Sequence, residues 1–181
     1  MNKKGYFFIL DAFIASTIIA VSLVSIMNSD VAVGQRTNEY AQADAMTQFL
    51  LDTKLADLDN QYVKSLIADG TITNPRNTIM AQIDTFYYTA YYICNNASCR
   101  SININFSKTL LQNISEPIIS QKYGYDYSIM DDSRNYSIYN RSGDTWSSSR
   151  FRVVTKRVSY AAINSTSVFK PHIVEFSLWI K

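Results

Sequence analysis

The chain has 181 residues and a net charge of +2, from 17 Lys and Arg against 15 Asp and Glu. That near-neutral balance leaves no nucleic-acid footprint. The densest basic places, Arg150-Phe151-Arg152 and Lys156-Arg157, read as the outer face of a strand. Thirteen Tyr and nine Phe against five Gly and three Pro argue against a disordered chain and for an ordered, β-rich body, with a tyrosine load of the kind packed protein interfaces use.

Taken in order, the chain opens with Lys3-Lys4-Gly5, and Tyr6 to Met27 then forms an apolar run with one charge in it, Asp11. As a helix this run would be about 33 Å long, enough to cross a bilayer core of about 30 Å. Lys3 and Lys4 are the only charges before it, which places the amino terminus on the cytoplasmic side and everything after Met27 outside. A carboxylate within such a run is costly unless partnered, so Asp11 is a functional-site candidate. A cleaved secretory signal fits poorly: Asp11 interrupts the apolar core, and the best cut, after Ala32, has Asp30 at the third position back. An uncut signal anchor fits the same residues.

The leader ending Lys4-Gly5, with the apolar helix starting at once and an acid just inside it, resembles the start of an archaeal type IV pilin, the class III signal peptide family. The match covers about the first thirty residues. It implies that a membrane prepilin peptidase cuts between Gly5 and Tyr6, and that the helix anchors the subunit and then packs into a filament core. It also implies that Asp11 pairs with the free amino terminus of a neighbouring subunit. Many members carry that acid at the fifth mature position, whereas Asp11 would be the sixth.

After polar Asn28-Ser29-Asp30, with Gly34 nearby, a helical pattern resumes. Tyr40, Ala43, Thr47, Leu50, Leu51, Leu55 and Leu58 recur at three- and four-residue steps, so 28–70 reads as an amphipathic helical region. Pilins of this family share such a two-part helix. Asn60 to Asp69 reads as a second short helix closed by Gly70, and Thr71 to Arg76 as a loop.

Ile79 to Phe106 reads as a β-hairpin with Cys94 and Cys99 at its tip. Pairing the two cysteines sets Ile93 against Arg100, Tyr91 against Ile102, Thr89 against Ile104 and Tyr87 against Phe106, which makes one face apolar and the other polar. A disulfide there suits an oxidising compartment. The alternatives are a metal site, which has no second Cys/His pair to complete it, and redox catalysis, which favours a closer spacing.

Asn96, Asn105, Asn113, Asn135, Asn140 and Asn164 each head an Asn-x-Ser/Thr tripeptide. Ser and Thr are 20 of the 88 residues from Cys94 onward, so chance would give the eight Asn there about two such sites; six predict N-glycosylated loops in an exported domain.

Ser107 to Ser115 reads as a helical turn stopped by Pro117, and strands are expected at Tyr125 to Met130, Asn135 to Tyr139, Arg150 to Ala161 and from Pro171 onward. In the last strand Val174, Phe176, Leu178 and Ile180 share one face. Trp179 lies on the polar face, where it covers a neighbour or makes a contact.

His172, the one histidine, has no recognisable partner and reads as structural. Asp126, Asp131, Asp132 and Asp144 lack an EF-hand spacing and read as solvated turn carboxylates rather than a Ca²⁺ site. With no hydrolase, zinc-peptidase or nucleotide-binding motif, the expectation is no catalytic residue, no metal and no cofactor.

The expected fold is α+β: a leader over 1–5, an apolar helix over 6–27, the amphipathic region over 28–70 and an antiparallel β-domain over 71–181. The expected function is a subunit of a homo-oligomeric extracellular filament with an adhesive outer surface. Its partners would be the prepilin peptidase, the membrane-bound pilus assembly machinery, the membrane before assembly, and no nucleic acid. A minor pilin or pseudopilin of a secretion or uptake machine, or a non-polymerising single-pass receptor or adhesin, would share the leader.

Overall fold

The computed structural model describes residues 38–132, 134–141, 152–160 and 171–180. Lys4, Gly5, Tyr6, Asp11, the apolar run and Asn164 lie outside the described residues. The chain divides into two compact units, Met1–Glu39 and Tyr40–Lys181. The second is α+β, with a four-stranded antiparallel sheet. Among the described residues no helix is long and apolar enough to cross a membrane.

The first helix, α1, covers 38–52. Ala43, Met46, Thr47 and Leu50 are buried at three- and four-residue steps, as one face of a 3.6-residue period requires. Tyr40, placed on that stripe by the sequence pattern, is 55% exposed. The Thr47 hydroxyl donates to the Ala43 carbonyl at 2.8 Å and lies 2.6 Å from that of Thr155, while Arg157 pairs with Asp44. The α1 pattern does not run on to Leu58: after Asp52 the chain bridges at Lys54 to Thr78 and makes a 3-10 turn at Leu55–Asp57.

Helix α2, Gln61–Ala68, starts where the Asn60 side chain accepts the amides of Tyr62 and Val63, and ends at Gly70, whose φ of 79° favours glycine.

Residues 79–115 are a helical hairpin: Ile79 to Phe106 is helical rather than the β-hairpin the alternation predicts, and the helical turn expected over Ser107 to Ser115 is the last part of its second helix. Helix α3, Ile79–Tyr88, is capped by the Thr78 hydroxyl and passes into a π-helical turn, Thr89–Ile93. Helix α4, Ala97–Ser115, is capped by the Asn96 side chain and ends two residues before Pro117. The physical reason lies in the span over which burial repeats. Ile79, Met80, Ile83, Phe86 and Tyr87 on α3, Ala90 in the π-helical turn, and Ser107, Leu110, Leu111, Ile114 and Ser115 on α4, recur at helical spacing. The alternating stretch Ser101 to Phe106 is too short to decide between periods, and in the helix it leaves Ile102 50% exposed. The chain reversal at the cysteines is as expected: Phe86 meets Phe106 at 5.5 Å, and Cys94 is bonded to Cys99 with Cα atoms 5.5 Å apart.

The strands are β1 (Tyr123–Asp131), β2 (Arg134–Asn140), β3 (Arg152–Ser159) and β4 (His172–Ile180), in the order β2-β1-β4-β3. Each lies close to its expected place. Register puts Tyr125, Tyr127 and Ile129 beside Leu178, Phe176 and Val174, with Val153 and Thr155 next on β3, and all eight are buried. A bulge opposite Tyr127 and Ser128 inserts Ile138, so consecutive Ile138 and Tyr139 are both buried on an edge strand.

Trp179 is 3% exposed and covers a neighbour, Gly124, on the outer face. A Cβ on Gly124 would stand 2.3 Å from Trp179 Nε1, so the site has no room for a side chain. Gly124→Ala is expected to displace the indole and lower stability by about 1–3 kcal/mol, read by denaturant unfolding, with a change in tryptophan emission.

Candidate functional site

The ends of β3 and β4 meet α3 at a buried carboxylate. Ser159 and His172 are cross-strand partners, and both side chains address Asp84: the Ser159 hydroxyl donates to Oδ2, and His172 Nε2 lies 3.0 Å from Oδ1. The His172 and Asp84 side chains are 1% and 0% exposed. Their two facing atoms lie at contact distance inside the core. His172 thus has a carboxylate partner that sequence reading missed, because Asp84 fell within the expected β-hairpin, far from His172 in the chain.

This cluster differs from an acyl-transfer triad. There the imidazole stands between hydroxyl and carboxylate so that it can take the hydroxyl proton. Here the carboxylate stands between, and the serine hydroxyl donates to it rather than to the imidazole. What the arrangement does is clasp both ends of the β3–β4 connection onto α3.

Tyrosines surround the clasp. Tyr87, 6.2 Å from the His172 ring, packs on Tyr91 at 4.9 Å and edge-on to Tyr136 at 5.4 Å, and Tyr91 and Tyr136 lie 4.3 Å apart. The Arg100 guanidinium sits 5.4 Å from the Tyr91 ring. Burial, with the Asp84 charge adding to it, pushes the Tyr127 phenol well above its usual value, and burial likewise raises Tyr87.

Tyr92 stacks on Tyr88 at 5.5 Å, and its hydroxyl donates to the Asp131 carboxylate. Burial, then this hydrogen bond, pushes it up to about 12. Tyr139, donating to Glu116 at 2.7 Å, is likewise raised to about 12, first by burial. An open cleft of about 580 Å³ adjoins the clasp, lined by Met130, Asp131, Asp132, Arg134, Asn135 and residues 171–173.

The outer sheet face carries a second polar group. Glu175 is held by Arg152 Nη2 at 2.7 Å and Lys156 Nζ at 3.1 Å, and Arg152 also donates to Ser177 at 2.6 Å. Next to it Asp126 accepts from Ser137 across the β1–β2 pair, and burial raises its pKa. Asp126 and Asp131 are 9% and 8% exposed and lie in β1, so they are strand carboxylates rather than the solvated turn residues expected. They sit toward opposite ends of that strand, and among the described residues no three His, Cys, Asp or Glu gather to hold a metal.

Among the described residues, four of the five Asn-x-Ser/Thr sites lie in helix or strand rather than in the loops expected, and Asn96 lies in the loop the cystine closes. Asn96 caps α4, Asn105 and Asn113 lie within it, and Asn135 and Asn140 lie on β2. All five are exposed. Compared with known protein families, with curated proteins and with solved structures, the chain matches none.

Two outcomes test the site. His172→Ala is expected to cost about 3–5 kcal/mol in denaturant unfolding, because it leaves the buried Asp84 carboxylate without its imidazole neighbour; the double replacement Asp84→Leu/His172→Leu should recover much of that loss. The raised tyrosines set an alkaline limit. Their folded-state pKa values exceed the unfolded value near 10, so their contribution is complete below about pH 10 and is lost as pH climbs through about 12. Phenolate absorbance should therefore show a tyrosine class that ionises only as the fold melts.

Proposed function

We propose that the chain is a structural subunit of an extracellular type IV pilus-like filament, assembled through an apolar helix over residues 6–27. One observation supports this reading best. The helix that follows the apolar run in sequence, α1, has its Ala43, Met46, Thr47 and Leu50 side buried in the α+β body, with Thr47 against Thr155 of β3 and Asp44 paired to Arg157. An amphipathic helix seated on a β-sheet is what the leader resemblance implies for the part of the chain that follows the apolar run. The Cys94–Cys99 bond suits the same placement outside the cytoplasm. In this reading Lys4-Gly5 is the peptidase edge, Tyr6 the mature terminus and Asp11 its partner on the next subunit.

The test is amino-terminal sequencing with intact mass on protein taken from the cell surface, for the natural chain and for Gly5→Leu. The natural chain should begin at Tyr6. Gly5→Leu should keep its leader, still enter the membrane and form no filament. A natural chain that retains Lys3-Lys4, or normal filaments from Gly5→Leu, would overturn the reading, and the retained leader would point to an anchored surface protein.

A further inference from the structure

We propose that N-linked sugar on this domain is carried by Asn96 and Asn135 and not by Asn105 or Asn113. The inference rests on the exported placement proposed above. An Asn-x-Ser/Thr site presents two groups together, the amide nitrogen that takes the sugar and the hydroxyl two residues on. An enzyme that meets a folded surface needs both on one side. Residues two apart in a helix point about 200° from each other, whereas in a strand they share a face. The four asparagines named are those whose tripeptides lie wholly among the described residues.

Asn105 and Asn113 lie inside α4, and their partner hydroxyls are turned into the core. Ser107 and Ser115 are both 0% exposed. Ser107 donates to the carbonyls of Asn103 at 3.3 Å and Ile83 at 3.5 Å, and Ser115 is bonded to the Leu111 carbonyl at 2.6 Å and to the Tyr125 hydroxyl. The Asn113 amide nitrogen is itself engaged, donating to the Thr109 carbonyl at 2.9 Å. These two tripeptides are by-products of serines that the inner side of α4 requires.

Asn96 and Asn135 are placed differently. Asn96 is exposed, with extended φ −132° and ψ 160°, in the short loop the cystine closes, and Ser98 beside it is exposed too. Its Oδ1 accepts the Cys99 amide at 2.8 Å. A sugar bonds to Nδ2 and leaves that oxygen in place, so the helix cap and the modification coexist. On edge strand β2, Asn135 and Ser137 pair with Met130 and Ser128, share the outer sheet face and are both exposed; the Ser137 hydroxyl donates to Asp126 on that face but, unlike those of Ser107 and Ser115, belongs to an exposed residue. A sugar there would also shield the free edge of β2 from pairing with other chains.

In the transfer, Asn Nδ2 forms a C–N bond to the anomeric carbon of a lipid-linked phosphosugar. The C–O bond to phosphate breaks, the lipid phosphate leaves with the electron pair, and one amide proton passes to a base of the transferring enzyme.

Glycopeptide mass spectrometry of the full protein from its cell surface tests this, beside amino-terminal sequencing. Sugar mass is expected on the Asn96 and Asn135 peptides, with Asn105 and Asn113 bare. Ser98→Ala should strip Asn96 alone while the cap survives, and Ser137→Thr should keep Asn135 modified. Sugar on Asn105 or Asn113, or a bare Asn96 or Asn135, overturns the inference. Bare sites on a chain that begins at Tyr6 would leave the filament reading standing. Sugar at the expected sites on an uncut chain would overturn only the filament reading.

Discussion

A carboxylate with no exposed surface must be answered from within the fold, and Asp84 is answered from two strands at once. A buried ion is costly unless opposite charge and hydrogen bonds meet it. The imidazole of His172 and the hydroxyl of Ser159 meet it here, and both come from the sheet. The helical hairpin and the sheet are therefore tied where β3 gives way to β4, at the end of the sheet that also borders the open cleft. Tyr87 and Tyr127, raised in pKa by the same burial, fill the volume around the clasp and keep water from the charge.

The sheet carries polar chemistry on the side away from its aromatic face as well. Glu175 with Arg152 and Lys156, and Asp126 with Ser137, form two short networks on the central and edge strands. Two carboxylates are set against two cations; cross-strand register puts Lys156 opposite Glu175, and Arg152, opposite Trp179 on the same face, reaches Ser177 and Glu175 along the strand. Trp179 lies on the same face over Gly124, where the indole occupies the space a side chain would need. β1 and β4 are thus buried on both faces along most of their length, which is why a simple in–out alternation describes β4 poorly.

The helical hairpin shows how local and long-range signals compete. The cystine brings Cys94 and Cys99 together whether the arms are strands or helices, and the Asn96 cap and Pro117 mark the ends of α4 in either case. What separates the two is the period of burial over twenty or more residues, in which Ile79, Ile83, Phe86 and Ala90 outweigh the six alternating residues from Ser101 to Phe106. Tyr and Thr between Thr85 and Tyr92 favour strands by propensity, and packing against the core overrides that preference. The same change of element moves Asn105 from a strand, where hydroxyl and amide would share a face, into a helix, where they do not.

The sequence by itself determined the elements whose causes are local. Asn60 and Gly70 bound α2 because one side chain caps orphan amides and the other accepts a positive φ. The four strands fall close to where β-branched and aromatic runs break at turn residues, and the close spacing of the cysteines sufficed for the cystine. The tertiary structure alone decided the rest, because it depends on residues distant in the chain. Asp84 meets His172, Tyr87 meets Tyr136, and Glu175 meets Arg152 through sheet order and register, which no local window contains. Only the folded burial pattern told helix from strand across 79–106, because the alternation in that stretch is shorter than the span needed to tell a period of two from a period of 3.6.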